Sequence, residues 1–165
     1  MTPFAENPFA VLTLIAAPAV LANSCSVLSL GTGNRFARVV DRSRVLTKEM
    51  DGLTPDDPGF EKRMVQLERL QRRARMLIRA LTLFYTALGA FVAAGLVSLV
   101  GAFLAEGTHA TLFQATAGAG VVIGVLAVVG VASGCGLLVA ETRLAVKSLY
   151  EEADLVHERW VHRGR

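Results

Sequence analysis

No lysine or arginine occurs in residues 1–30 or 80–140 of this 165-residue chain. Chemistry is scarce as well. There is no HExxH or CxxC motif, no glycine-rich phosphate loop following a strand, and no Ser/His/Asp set, because His109, His157 and His162 sit near the second long apolar stretch's turn or in the tail. The apolar runs hold no ionisable pair that an intramembrane enzyme would need. Neither an enzyme nor a bound cofactor is expected. Only two cysteines are present, Cys25 and Cys135, both inside apolar runs, where such residues serve as small packing groups, so a structural disulfide is not expected either.

What is there is apolar, at 53% hydrophobic residues and a mean hydropathy of +0.47. Three long runs carry much of it: Phe9–Leu30, Ala80–Leu104 and Leu112–Ala140. Each exceeds the roughly 18 residues that mark a spanning helix, and at about 1.5 Å per residue each crosses a hydrocarbon core of about 30 Å. Ala17-Pro18-Ala19 resembles a signal-cleavage site, but no basic stretch precedes the first run, so a retained span is expected.

The charges orient these spans. Twelve of the 17 Lys and Arg residues lie between Gly31 and Arg79, and the other five follow Ala140. With three spans, one orientation puts all of them on the cytoplasmic side: N-terminus outside, C-terminus inside. Asp41, Glu49, Asp51, Asp56, Asp57, Glu61 and Glu68 offset the basic segment, which argues for topology and anionic lipid headgroups rather than nucleic acid.

The expected fold is an all-α integral membrane protein whose three transmembrane helices extend into a cytoplasmic helical bundle. Its order is an outer N-terminus over 1–8, a first span over 9–30 continued by a cytoplasmic helix over 31–50, and a loop over 51–59. An amphipathic helix over 60–79 then feeds a second span over 80–104, an outer loop over 105–111 leads to a third span over 112–140, and a cytoplasmic helix over 141–165 ends the chain. Asn7-Pro8 and Asp57-Pro58 read as helix starts. Pro18 is placed to kink the first span, and Gly31 and Gly33 to make a hinge below it. Three inward seams are expected: Phe36, Val39, Ser43, Leu46 and Met50; Phe60, Met64, Leu67, Leu70, Ala74, Leu77 and Leu81; and Val139, Thr142, Val146, Leu149, Ala153, Val156 and Trp160.

The first span is polar on its cytoplasmic half, and Ala16, Ala19, Asn23, Ser26 and Gly33 fall near one face. Two readings stand. That face is an ordinary helix-packing surface, or it lines a water-filled path in a homo-oligomer, with Asn23, Ser26, Ser29 and Asn34 lining the pore and Arg35, Arg38 and Arg42 at its inner mouth. Three helices are too few to enclose a conduit alone. The GxxxG pairs Gly120/Gly124 and Gly130/Gly134 suit close helix contact, within a protomer or between protomers. Glu141 and Arg143 form a charged pair of positions at the membrane edge, with Arg38 or Arg79 as the expected partner of Glu141. Glu106 and His109 lack a third ligand and read as a solvated turn, so no metal is expected.

The segment from Asn7 to Leu46 carries a resemblance. NPF, then an apolar run ending in APAVLANSCSVLSLGTGNR, then the arginine series FARVVDRSR, resembles the bacterial membrane-protein family called domain of unknown function 2721. The resemblance implies a bacterial inner-membrane protein and carries over no activity and no functional residue. For function the expectation is an ion-conducting pore built by a homo-oligomer; the alternative is a non-catalytic scaffold or regulatory subunit whose cytoplasmic helices bind a partner protein.

Overall fold

A computed structural model describes residues 8–57, 59–104 and 110–163, with side chains over 16–57, 59–101 and 114–147. The described residues form three α-helices and no strand: α1 Pro8–Met50, α2 Phe60–Leu104 and α3 Ala110–Arg163. Each expected span and its cytoplasmic extension are thus one helix. At 43, 45 and 54 residues, they reach about 65 to 80 Å, more than twice a hydrocarbon core.

Local chemistry explains the limits of these helices. Pro8 begins α1, where a missing N–H costs no helical hydrogen bond. α1 then runs unbroken through Gly31 and Gly33, neither with a positive φ, so the expected hinge is absent. The turn to α2 closes with Asp51 N–H donating to Thr47 O and Leu53 N–H to Met50 O. Asp57 does not cap α2 with its side chain as expected. Its carboxylate accepts from Thr54 N–H at 2.9 Å and Thr54 Oγ1 at 3.1 Å, while its backbone carbonyl accepts from Phe60 N–H. Asn7, Pro58 and the turn with Glu106 and His109 lie outside the described residues.

One pattern governs burial. On α1, Cys25, Ser29, Thr32, Phe36, Val39, Ser43 and Leu46 recur at alternating steps of four and three, and all are buried or half-buried. On α2 the same alternation links Leu70, Arg73, Leu77, Ala80, Phe84, Ala87, Phe91 and Ala94. On α3 the fully buried positions, Gly120, Ala127, Gly134 and Glu141, are seven apart. This is the heptad geometry of left-handed helix packing. It confirms the expected seam on α1, matches that of α2 at Leu70 and Leu77 while leaving Met64 exposed, and corrects that of α3 at Val139, Thr142 and Val146, the side chains of Leu149, Ala153, Val156 and Trp160 lying outside the described residues. Val139, Thr142 and Val146 are exposed, and the inward stripe lies beside them at Glu141 and Ala145. Periodicity alone favoured the valines; the interior of α3 is instead made of small residues and one acid.

The chain divides into two compact units. The first comprises the chain up to Thr32 with Leu81–Gly134. Its core is Cys25, Ala87, Phe91 and Ala127, packed by Ala22, Leu88, Ala90 and Val131. Small residues let these helices approach: a Cβ on Gly134 would lie 2.6 Å from the Phe84 ring, on Gly120 3.4 Å from Ser98 Oγ, and on Gly130 3.6 Å from Ala87 Cβ. The second unit comprises Gly33–Ala80 with Cys135–Arg165, and buries Val39, Leu46, Leu77, Ala80 and Glu141.

Two helices contain segments long and apolar enough to cross a membrane, Phe60–Gly101 and Gln114–Lys147, with mean hydropathies of 2.1 and 2.5 over their most apolar windows. A core helix of a water-soluble domain is mostly covered, whereas only 22% and 11% of these windows are buried. Along α3, Val121, Val122, Val125, Leu126, Val128 and Val129 are all exposed, a contiguous apolar surface of the kind that marks a lipid or partner contact. α1 does not meet the same standard over its described side chains. Asn23, Ser24, Ser26, Ser29 and Thr32 dilute its apolar character, and the apolar Phe9–Ile15 lies outside those side chains. Two of the three expected spans are therefore supported.

Candidate functional site

The residues expected to line a pore do not share one face. Asn23, Ser26 and Asn34 are exposed on α1, while Ser29, about 120° round the helix from Asn23, belongs to the buried stripe. Ser24 Oγ donates to Val20 O at 3.0 Å and Ser26 Oγ to Ala22 O at 3.2 Å, so both hydroxyls are satisfied by their own helix. Thr32 Oγ1 does the same to Leu28 O at 2.7 Å. Ser29 Oγ, though buried, has no hydrogen-bond partner among the described residues. Asn23 also makes no side-chain hydrogen bond among the described residues.

The three arginines expected at an inner mouth are brought together in the second unit. Arg35, Arg38 and Arg42 of α1 line an open-sided cleft of about 350 Å³ with Arg73 of α2 and Glu141 and Thr142 of α3, floored by Val39, Leu70 and Ala145. Their spacing of three and four places them on one side of α1.

Glu141 organises the cleft. Its side chain is 3% exposed, a position at which an unpaired carboxylate costs several kcal/mol. Arg73 supplies the compensation, with Nε and Nη2 each 2.8 Å from Oε1. Arg35 Nη1 stands 3.8 Å from Oε2 and donates at 3.2 Å to Thr142 Oγ1, which in turn donates to Leu138 O at 2.8 Å. The partners of Glu141 are therefore Arg73 and Arg35, not Arg143, Arg38 or Arg79. Glu141 and Arg143 are two residues apart and point to different sides of α3, and Arg143 is exposed.

Arg38 and Arg42 enter no ion pair among the described residues. The nearest acid in sequence, Asp41, faces Arg44 at 3.9 Å instead. Four arginines around one carboxylate leave a local surplus of positive charge. Sequence reasoning missed Arg73 and the role of Thr142. Arg73 and Glu141 are opposite charges that each interrupt the inward stripe of their helix, a signal legible only once the register of α2 and α3 is placed.

No cluster of His, Cys, Asp and Glu suited to a metal ion occurs among the described residues. No curated protein and no solved structure matches the chain. A family model does match it over residues 15–151, most of its length and all of the cleft, and so the chain belongs to the family described as protein of unknown function, DUF2721.

Proposed function

We propose that this chain is a bacterial inner-membrane protein of three spans, N-terminus outside and C-terminus cytoplasmic, and that copies of it assemble so that α1 faces an ion-conducting path. The observation that carries this reading is Asn23. Its carboxamide lies on the exposed surface of α1 without a partner among the described residues, between Val20 and Val27, which are 64% and 63% exposed. An amide facing lipid tails is unfavourable, so this face calls for water or a second copy of the same helix. A ring of α1 helices supplies both, with Asn23, Ser26 and Asn34 towards the axis and the arginines at the inner end. The distribution of Lys and Arg supports the orientation. An arginine-rich mouth favours anions.

The test is the mass of the purified protein in nanodiscs, followed by bilayer recording. A ring of four or more copies and a conductance altered by Asn23→Leu are expected. A monomer or a solid dimer overturns the conduit.

One observation favours the second reading, a scaffold. Val139 and Val146 of α3 and Met64 and Val65 of α2 are exposed apolar residues in the second unit. They are suited to docking a partner protein. Under that reading Asn23→Leu changes stability and leaves no conductance to alter.

A further inference from the structure

We infer that the arginine cleft is a binding site for a phosphate-bearing anion, engaged by the Arg38 and Arg42 guanidinium groups with Arg35 beside them. The arrangement is costly without such a ligand. Like charges three and four residues apart on a helix repel, and here three of them stand together on α1. The one acid that lines the cleft, Glu141, is already engaged by Arg73 and Arg35. Arg38 and Arg42 are exposed and have no ion-pair partner among the described residues. Had these side chains served only to orient the chain in a membrane, any position on the helix would do, whereas they converge on a concave surface.

The geometry selects the ligand. A guanidinium presents parallel N–H donors that match two phosphate oxygens, and it remains charged at every physiological pH. A volume of about 350 Å³ is at the small end of ligand sites, and suits one phosphate with a short substituent or a second phosphate. The Glu141–Arg73 pair positions the cleft without contacting the ligand. Its buried carboxylate holds Arg35 and so keeps that guanidinium at the wall.

Two sources share this chemistry, a free phosphate compound and the headgroup of an anionic lipid. The lipid source alone rests on the topology proposed above, in which Arg35 and Glu141 come just after the ends of their spans. The protein, in uncharged detergent, is titrated with inorganic pyrophosphate by calorimetry, and its retention of phosphatidylglycerol against phosphatidylcholine is read by native mass spectrometry. The Arg38→Gln/Arg42→Gln variant is compared with Arg72→Gln/Arg75→Gln, which removes the same charge from exposed positions outside the cleft.

The expected result is that the cleft variant weakens binding at least about tenfold while the control stays near wild type. Pyrophosphate binding identifies a soluble ligand; preferential phosphatidylglycerol retention identifies a headgroup. Wild-type protein that binds neither probe, or equal losses in both variants, overturns the site. Neither measurement reads conductance, and the copy number that a native mass reports is independent of whether a probe binds, so failure here leaves the pore reading untouched, and a monomeric protein leaves this site intact.

Discussion

At the scale of single residues, two buried polar groups differ in how they are satisfied, and the difference sets the sign of their mutational effects. Ser29 Oγ is buried with no partner among the described residues, whereas Thr32 Oγ1, one turn on, donates to Leu28 O at 2.7 Å. Deleting an unsatisfied hydroxyl removes a desolvation penalty, so Ser29→Ala is expected to be neutral or to stabilise by up to about 1 kcal/mol. Thr32→Val, which deletes a satisfied one at similar burial, is expected to cost about 1 kcal/mol. Denaturant unfolding in detergent micelles measures both, and a clear loss for Ser29→Ala would show that this hydroxyl has a partner. Glu141 is the third case. Glu141→Gln keeps the shape but leaves Arg73 and Arg35 uncompensated beside Arg38 and Arg42. Loss of a fully buried partner costs about 3–5 kcal/mol, and because Arg73 and Arg35 are 26% and 48% exposed, about 2 kcal/mol is expected in the same assay. The charges of the cleft were readable from sequence one helix at a time, but their pairing was not. Arg73 is one of twelve basic residues between Gly31 and Arg79, and only the register of α2 distinguishes it from Arg72 and Arg75.

At the scale of elements, the glycines of α3 separate into two sets that the GxxxG spacing does not distinguish. A Cβ at Gly134 would meet the Phe84 ring at 2.6, 3.0 and 3.1 Å, and Phe84 is fully buried, with little room to withdraw. A Cβ at Gly124, Gly118 or Gly136 meets nothing within 4 Å. Gly134→Ala is therefore expected to destabilise by about 1–3 kcal/mol through overpacking. Gly124→Ala should be neutral or stabilising by about 0.5–1 kcal/mol, as alanine loses less backbone entropy in a helix. A double-mutant cycle with Phe84→Leu checks the mechanism: coupling between positions 134 and 84, and none between 124 and 84, is the expected pattern. The same division explains which seams were legible. On α1 the stripe of Val39 and Leu46 stands out because its neighbours are charged, so periodicity found it. On α3 the neighbours of the stripe are valines as apolar as anything inside, so periodicity chose Val139 and Val146. What marks the interior there is small size, at Gly120, Ala127 and Gly134, followed by Glu141 with its arginine partner.

At the scale of the whole molecule, the side of the membrane that holds the N-terminus turns on α1. If the apolar stretches within Phe60–Gly101 and Gln114–Lys147 both cross, the start of α2 and the end of α3 lie on one side whatever α1 does. If α1 stays on that side, Val20, Val27 and Leu30, which are 64%, 63% and 70% exposed, must face water or a partner protein. If α1 crosses, they face lipid, where each gains the larger part of the about 1.5–3 kcal/mol that full burial of such a side chain is worth. Phe9 to Leu30 contains no charge to oppose insertion, and Arg35, Arg38, Arg42 and Arg44 follow it. These charges and exposures support the proposed third span. The check uses single cysteines in a Cys25→Ala/Cys135→Ala background and a membrane-impermeant thiol reagent on intact cells. Glu106→Cys should label from outside and Lys62→Cys only after lysis, an outcome that two and three spans share. Thr2→Cys decides between them: labelling from outside requires α1 to cross, and labelling only after lysis would leave α1 on the cytoplasmic face. That second outcome would remove Asn23 from any conduction path and return the exposed face of α1 to a role in protein docking.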